Sequence, residues 1–198
     1  MEYLQQIATL HGAVLFVLML ISISAMGRIF AILGDLRAQG AAIDDLVPHL
    51  RAALSARNFA KAAVAAASGD GCIGRLMAAI LSEPTRDAGR MRLIYKMNID
   101  SELRVRLANL IPLRSSAVLS LIVGVGGGIG IWGLGNADFD TALRRGVVVG
   151  VAGIVISTYA AIFHLLLKRR EIELNDNIAA EALKLIDTAT RAGEELVG

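Results

Sequence analysis

Two uncharged stretches, Ser115 to Ala137 and Gly146 to Leu167, lie back to back with eight residues between them. They run for 23 and 22 residues between flanking charges. At about 1.5 Å of rise per residue, a helix of that length reaches roughly 33 to 35 Å, and the hydrocarbon core of a bilayer is about 30 Å thick. The link, Asp138 to Arg145, carries four charges, two of each sign. That composition predicts a tight turn in water between two membrane-crossing helices.

A third uncharged run covers Tyr3 to Gly27 and is densest from Ala13 to Ile23. A secretory signal would need positive charge ahead of its apolar core and small residues at a cleavage site. Glu2 is the only charged side chain ahead of this run, and Arg28 follows it, so a retained first span is expected. The expected fold class is an all-α membrane protein with three transmembrane helices and a helical cytoplasmic stalk domain. Its segments are 1–27 (N-terminal segment and first span), 28–114 (cytoplasmic helical domain), 115–167 (transmembrane hairpin) and 168–198 (cytoplasmic C-terminal helix).

Composition agrees with bilayer burial and excludes several functions. Charged residues make up 19% of the chain, against about 25% in soluble domains. The net charge of +2 is too small to suggest nucleic acid, and no basic cluster interleaves with aromatic residues. The single cysteine, Cys72, cannot build an intrachain disulfide framework or the paired spacing of a zinc site. His11, His49 and His164 lie far apart and form no ligand motif. No nucleophile, metal cluster or acid–base pair gathers in one segment, so neither an enzyme nor a cofactor is expected.

Lysine and arginine near span ends set orientation. One side holds Arg28, Arg37, Lys96, Arg104, Arg106, Arg114, Lys168, Arg169 and Arg170, whereas the other holds only Arg144 and Arg145. The long loop and the C-terminus are therefore expected in the cytoplasm, with the N-terminus and hairpin turn outside. Within the loop, Leu50 to Ala67 is rich in alanine and leucine and predicts one helix, ended by Ser68 to Gly71. Ile73 to Leu81 predicts another, closed by Ser82 to Thr85 around Pro84. Arg86 to Leu110 places Met91, Ile94, Tyr95, Ile99, Leu103, Leu107 and Leu110 at three- and four-residue steps. That helix is expected to continue into the second span with a kink at Pro112. The tail, Glu171 to Val197, predicts an amphipathic helix with Ile172, Ile178, Leu183, Ile186 and Leu196 on or near one face.

The second run contains Gly124, Gly126, Gly127, Gly128, Gly130, Gly133 and Gly135, and the third contains Gly146, Gly150 and Gly153. Pairs four apart, such as Gly124 with Gly128 and Gly126 with Gly130, repeat the spacing that lets membrane helices approach closely. Helix packing is one role open to these glycines, and lining a narrow lumen around another helix is a second. A dinucleotide fingerprint is excluded, because no strand precedes the glycines. No Asp, Glu, Lys or Arg lies inside any of the three runs. A charge at the bilayer centre costs about 2.5 to 3.5 kcal/mol on insertion scales, and this chain places none there, so any proton path needs an acid from a partner. Ser157, Thr158 and Tyr159 are the polar candidates in the third run, with His164 nearer its end and Ser115, Ser116 and Ser120 early in the second. Bonding back to their own helix and lining a polar path both remain open to these hydroxyls.

The layout resembles the ExbB/TolQ/MotA family of bacterial proton-channel subunits, most closely its ExbB and TolQ branch. The resemblance rests on span order, on ALSARNFAKAAVAAASGDGCIGRLMAAIL (53–81) as a cytoplasmic helix-turn-helix, on the glycine-rich segment SLIVGVGGGIGIWG (120–133), and on GVVVGVAGIVISTYAAIFHLLLKRR (146–170). It implies a homopentamer in the bacterial inner membrane, with a periplasmic N-terminus and a cytoplasmic C-terminus. The ring would enclose a single-span ExbD- or TolR-like partner whose aspartate titrates, and would act with a TonB-like periplasmic effector in energy transduction for protein transport. In that alignment Gly128 and Gly150 fall where the family carries its lumen threonines, Arg145 lies near a glutamate position, and Tyr159 replaces a proline. The channel-lining candidates are therefore Gly128, Gly150, Ser157, Thr158 and Tyr159, and the helix-packing candidates are Gly124, Gly126, Gly127, Gly130, Gly146 and Gly153. The alternative is a non-conducting structural ring or scaffold subunit of a related complex.

Overall fold

The structure, a computed structural model, describes the backbone of residues 2–83, 87–133 and 139–197, and the side chains of residues 9–83, 87–133 and 140–193. Six helices account for nearly all of it: α1 (Glu2–Ser55), α2 (Phe59–Ser68), α3 (Gly71–Leu81), α4 (Ala88–Ala108), α5 (Ile111–Gly133) and α6 (Phe139–Val197). No strand occurs among the described residues. Three of the helical stretches are long and apolar enough to cross a membrane; they hold residues 9–27 of the first uncharged run, 115–133 of the second and all of the third. Expectations placed on Pro84, Thr85, Gly135, Asp138 and the side chain of Leu196 lie outside the described residues.

The chain divides into two compact units. The first, residues 1–32 and 109–167, takes the start of α1, all of α5 and the first half of α6. Its small core joins Leu18 of α1, Ile131 of α5 and Val149 of α6, with Val14, Leu15 and Val123 packed around them. The second, residues 33–108 and 168–198, takes the end of α1, then α2, α3 and α4, and the tail of α6. Its core is larger: Leu50 and Leu54 of α1, Ile73 and Met77 of α3, Met91 of α4 and Ile186 of α6 are all fully buried.

Several local expectations need correction. Leu50 to Ala67 is two helices, because α1 stops at Ser55 and α2 starts at Phe59. Arg57 takes a positive φ of 57°, and Asn58 caps the next helix by accepting a hydrogen bond from the Lys61 N–H at 3.0 Å. An asparagine able to satisfy a free N–H outweighs the helix propensity of its alanine neighbours. At the start of α3, Gly71 adopts φ 87°, a conformation that glycine adopts at no steric cost. In place of the expected kink at Pro112, a turn at Asn109 and Leu110 separates α4 from α5. Pro112 sits in the first turn of α5, where its missing N–H costs nothing.

The hairpin link is also more helical than a tight turn: α6 already begins at Phe139, and Arg144 pairs with Asp140 at 2.9 Å one turn apart. On the tail, Ile178 and Ile186 are buried as expected, but Ile172 and Leu183 face outward. The inward stripe is Glu171, Asn175, Ile178, Ala182, Leu185, Ala189 and Ala192, in alternating four- and three-residue steps. Small and polar residues hold most of that stripe, so a reading based on large apolar side chains misplaces the face.

Candidate functional site

In the first unit, α5 and α6 run antiparallel along a seam of glycines. A Cβ added to Gly128 would sit 2.6 Å from the carbonyl oxygen of Gly146, and one added to Gly146 would sit 2.6 Å from that of Gly128. Gly124 and Gly153 meet backbone to backbone one turn further along, and a Cβ on Gly153 would lie 2.7 Å from the Ser120 carbonyl. Gly127 faces α1, where Val14 fills the space a Cβ would need. Such approach replaces side-chain volume with backbone van der Waals contact, the main source of helix association in lipid.

Gly126, Gly130 and Gly150 behave differently. A Cβ on any of them would meet nothing within 4 Å among the described residues, although the backbone of Gly150 lies beside Gly128. Gly126 and Gly130 share one exposed face of α5. Of the polar candidates, Thr158 is exposed and Ser157 half-buried. The Tyr159 hydroxyl donates to the Ser22 carbonyl at 3.0 Å and lies 2.9 Å from the Ser22 hydroxyl, tying α6 to α1. Ser115, Ser116 and Ser120 donate to carbonyls three or four residues back in their own helix. The Nδ1 atoms of His11 and His164 and one guanidinium nitrogen of Arg145 are buried without a hydrogen-bond partner.

The second unit holds a polar cluster that the sequence reading did not single out. Arg106, in the last turn of α4, and Glu171, on the tail of α6, are 6% and 3% exposed. Their nearest charged atoms are 3.8 Å apart, so they pair by charge without a hydrogen bond. Asn175 lies one turn beyond Glu171, and its Oδ1, one guanidinium nitrogen of Arg106 and Glu171 Oε2 are buried with no hydrogen-bond partner. Gln39 of α1 joins the cluster through its Oε1, which accepts from the Cys72 N–H at 2.8 Å and from Arg106 at 3.5 Å. Burial pushes the Glu171 carboxyl above its usual range; Arg106 pulls it back and Asp35 adds to the rise. Burial likewise raises the Cys72 thiol, against the pull of Arg106. The protonated thiol is a poor nucleophile, whereas Glu171 is a buried group able to take up a proton.

A signal for this cluster was present. Arg106 falls seven residues after Ile99 on the stripe of α4, and Glu171 lies seven before Ile178 on the stripe of α6. A charge at a core position of an amphipathic helix marks a buried pair whose partner the sequence does not name. Among the described residues, no group of three or more His, Cys, Asp or Glu side chains could hold a metal ion. No protein-family model, curated protein or solved structure matches this chain. The architecture defines an all-helical protein with three helices able to cross a membrane.

Proposed function

We propose that this chain is an ExbB/TolQ-like subunit of a bacterial inner-membrane complex driven by the proton motive force, forming a ring around a single-span partner that supplies the titrating acid. One observation carries this reading. The three apolar runs hold no Asp, Glu, Lys or Arg, while Gly126 and Gly130 present a face of α5 that no helix among the described residues covers. A membrane helix with an open small-residue face is suited to another helix, and a chain without an intramembrane acid needs that helix to bring one. Val118, Ile122, Ile129, Val147, Val151 and Val155 are also exposed, which leaves apolar surface for neighbouring copies and for lipid.

In this reading the loop and tail are cytoplasmic, the ring is a homopentamer around an ExbD- or TolR-like dimer, and a TonB-like effector acts outside. One elementary charge crossing 100 mV is worth about 2.3 kcal/mol, so a few protons per step suffice to move one part against the other. A specific observation favours the alternative of a non-conducting scaffold. Gly128, where the resemblance expects a lumen hydroxyl, is closed against the Gly146 carbonyl, and a threonine there would break the seam.

Coexpression with the cognate single-span partner is expected to give a complex with more copies of this chain than of the partner. Recovery of a monomer that ignores every such partner would overturn both readings. In vesicles, acidification that depends on the partner and disappears when its membrane acid is neutralised supports conduction. An intact complex without flux supports the scaffold.

A further inference from the structure

Between α1 and α5 of the first unit lies an open cleft of about 980 Å³. Its walls at one end are apolar, including Leu20, Val118, Leu119 and Ile122, and at the other end they carry Ser24, Arg28 and Arg114. Both arginines are exposed, and no acidic side chain lines the cleft. Pro112, Ser115 and Ser116 of α5 also line it.

We infer that this cleft binds one anionic diacyl phospholipid, its phosphate held at Arg28 and Arg114 and an acyl chain laid along Leu20, Val118 and Ile122. The inference rests on the membrane character of the chain and is independent of whether protons are conducted. Two features select this occupant. First, the walls run eight residues along each helix, from Arg28 back to Leu20 and from Arg114 on to Ile122, which is about 12 Å of rise. That matches most of one leaflet, about half of the roughly 30 Å hydrocarbon core. Second, the polarity is graded as a lipid is: two cations where the phosphate would lie, then the hydroxyls of Ser24, Ser115 and Ser116, then Leu20, Val118, Leu119 and Ile122 where the chains would lie. Basic pockets at the ends of membrane helices recognise anionic head groups in this way.

The test uses the full chain in mixed micelles. Leu119→Trp in a Trp132→Phe background places the only tryptophan in the cleft wall. Its fluorescence is titrated with brominated phosphatidylglycerol and, separately, with brominated phosphatidylcholine. The expected preference for the anionic lipid is about thirtyfold, equivalent to roughly 2 kcal/mol at about 1 kcal/mol per arginine. R28Q and R114Q should each reduce it to about fivefold, and the pair should abolish it, whereas R144Q/R145Q should leave it unchanged. Equal quenching by both lipids would overturn the inference, as would a preference that survives R28Q/R114Q. Should R28Q/R114Q fail to fold, native mass spectrometry of the wild-type chain decides instead. Retention of one phosphatidylglycerol in preference to phosphatidylcholine supports the site, and a lipid-free dimer shielded at Leu119 overturns it.

Discussion

The pair formed by Arg106 and Glu171 concentrates the electrostatic cost of the second unit in two side chains. Each is almost fully buried, and neither hydrogen-bonds the other. Removing one partner leaves an uncompensated buried charge, a loss of about 3 to 5 kcal/mol, whereas replacing both with apolar residues of similar volume is often neutral or stabilising. Arg106→Met and Glu171→Leu should each lower the thermal midpoint in detergent strongly, and the double variant should recover most of the loss. A double variant as unstable as the sum of the two singles would show that the pair contributes nothing as a pair. The pH dependence follows from the same burial. Glu171 titrates above 4.5 when folded, so the folded state holds the proton more tightly than the unfolded one. That contribution is complete below about pH 4.5 and is lost as pH rises through the raised value. Glu171→Gln should flatten this part of the stability profile above pH 4.5; an unchanged slope would assign the loss to another group.

Among the elements, α5 presents three faces that the sequence writes with one residue type. Gly124 and Gly128 lock onto α6, Gly127 meets Val14 of α1, and Gly126 and Gly130 meet nothing among the described residues. Alanine at Gly128 or Gly146 pushes a methyl against a backbone oxygen that no rotamer change can move aside. A loss of about 1 to 3 kcal/mol is expected, the usual range for overpacking. Alanine at Gly126 or Gly130 should leave the isolated chain as stable as before, or slightly more so, because alanine is the better helix former. Thermal unfolding of the four variants in detergent separates the two classes. If the open face receives another helix, G126A and G130A will weaken assembly while sparing the subunit, and the measured mass of the complex reports it. Equal loss of subunit stability at all four positions would show that α5 is not divided in this way.

At the scale of the whole molecule, the proposed topology puts the hairpin link and the start of the tail on opposite sides of the membrane. Cys72 is almost fully buried, so an introduced cysteine dominates labelling. Asp140→Cys should react with an impermeant maleimide in intact spheroplasts, and Glu173→Cys only after permeabilisation. Reaction of both from one side would mean that the last apolar run does not cross. The legible part of this protein was what local composition dictates. Runs of uncharged residues long enough to satisfy their own backbone hydrogen bonds as helices located the three candidate spans, and the spacing in the loop announced a helical unit. The boundaries were harder to read, because Asn58 and Leu110 end or begin helices through hydrogen bonds that propensity does not count. What the amino-acid order left open was which glycine closes against which helix, and that Arg106 and Glu171 share one buried space. Both depend on residues far apart in the chain being brought into register, and the free energy of such contacts belongs to the pair rather than to either residue.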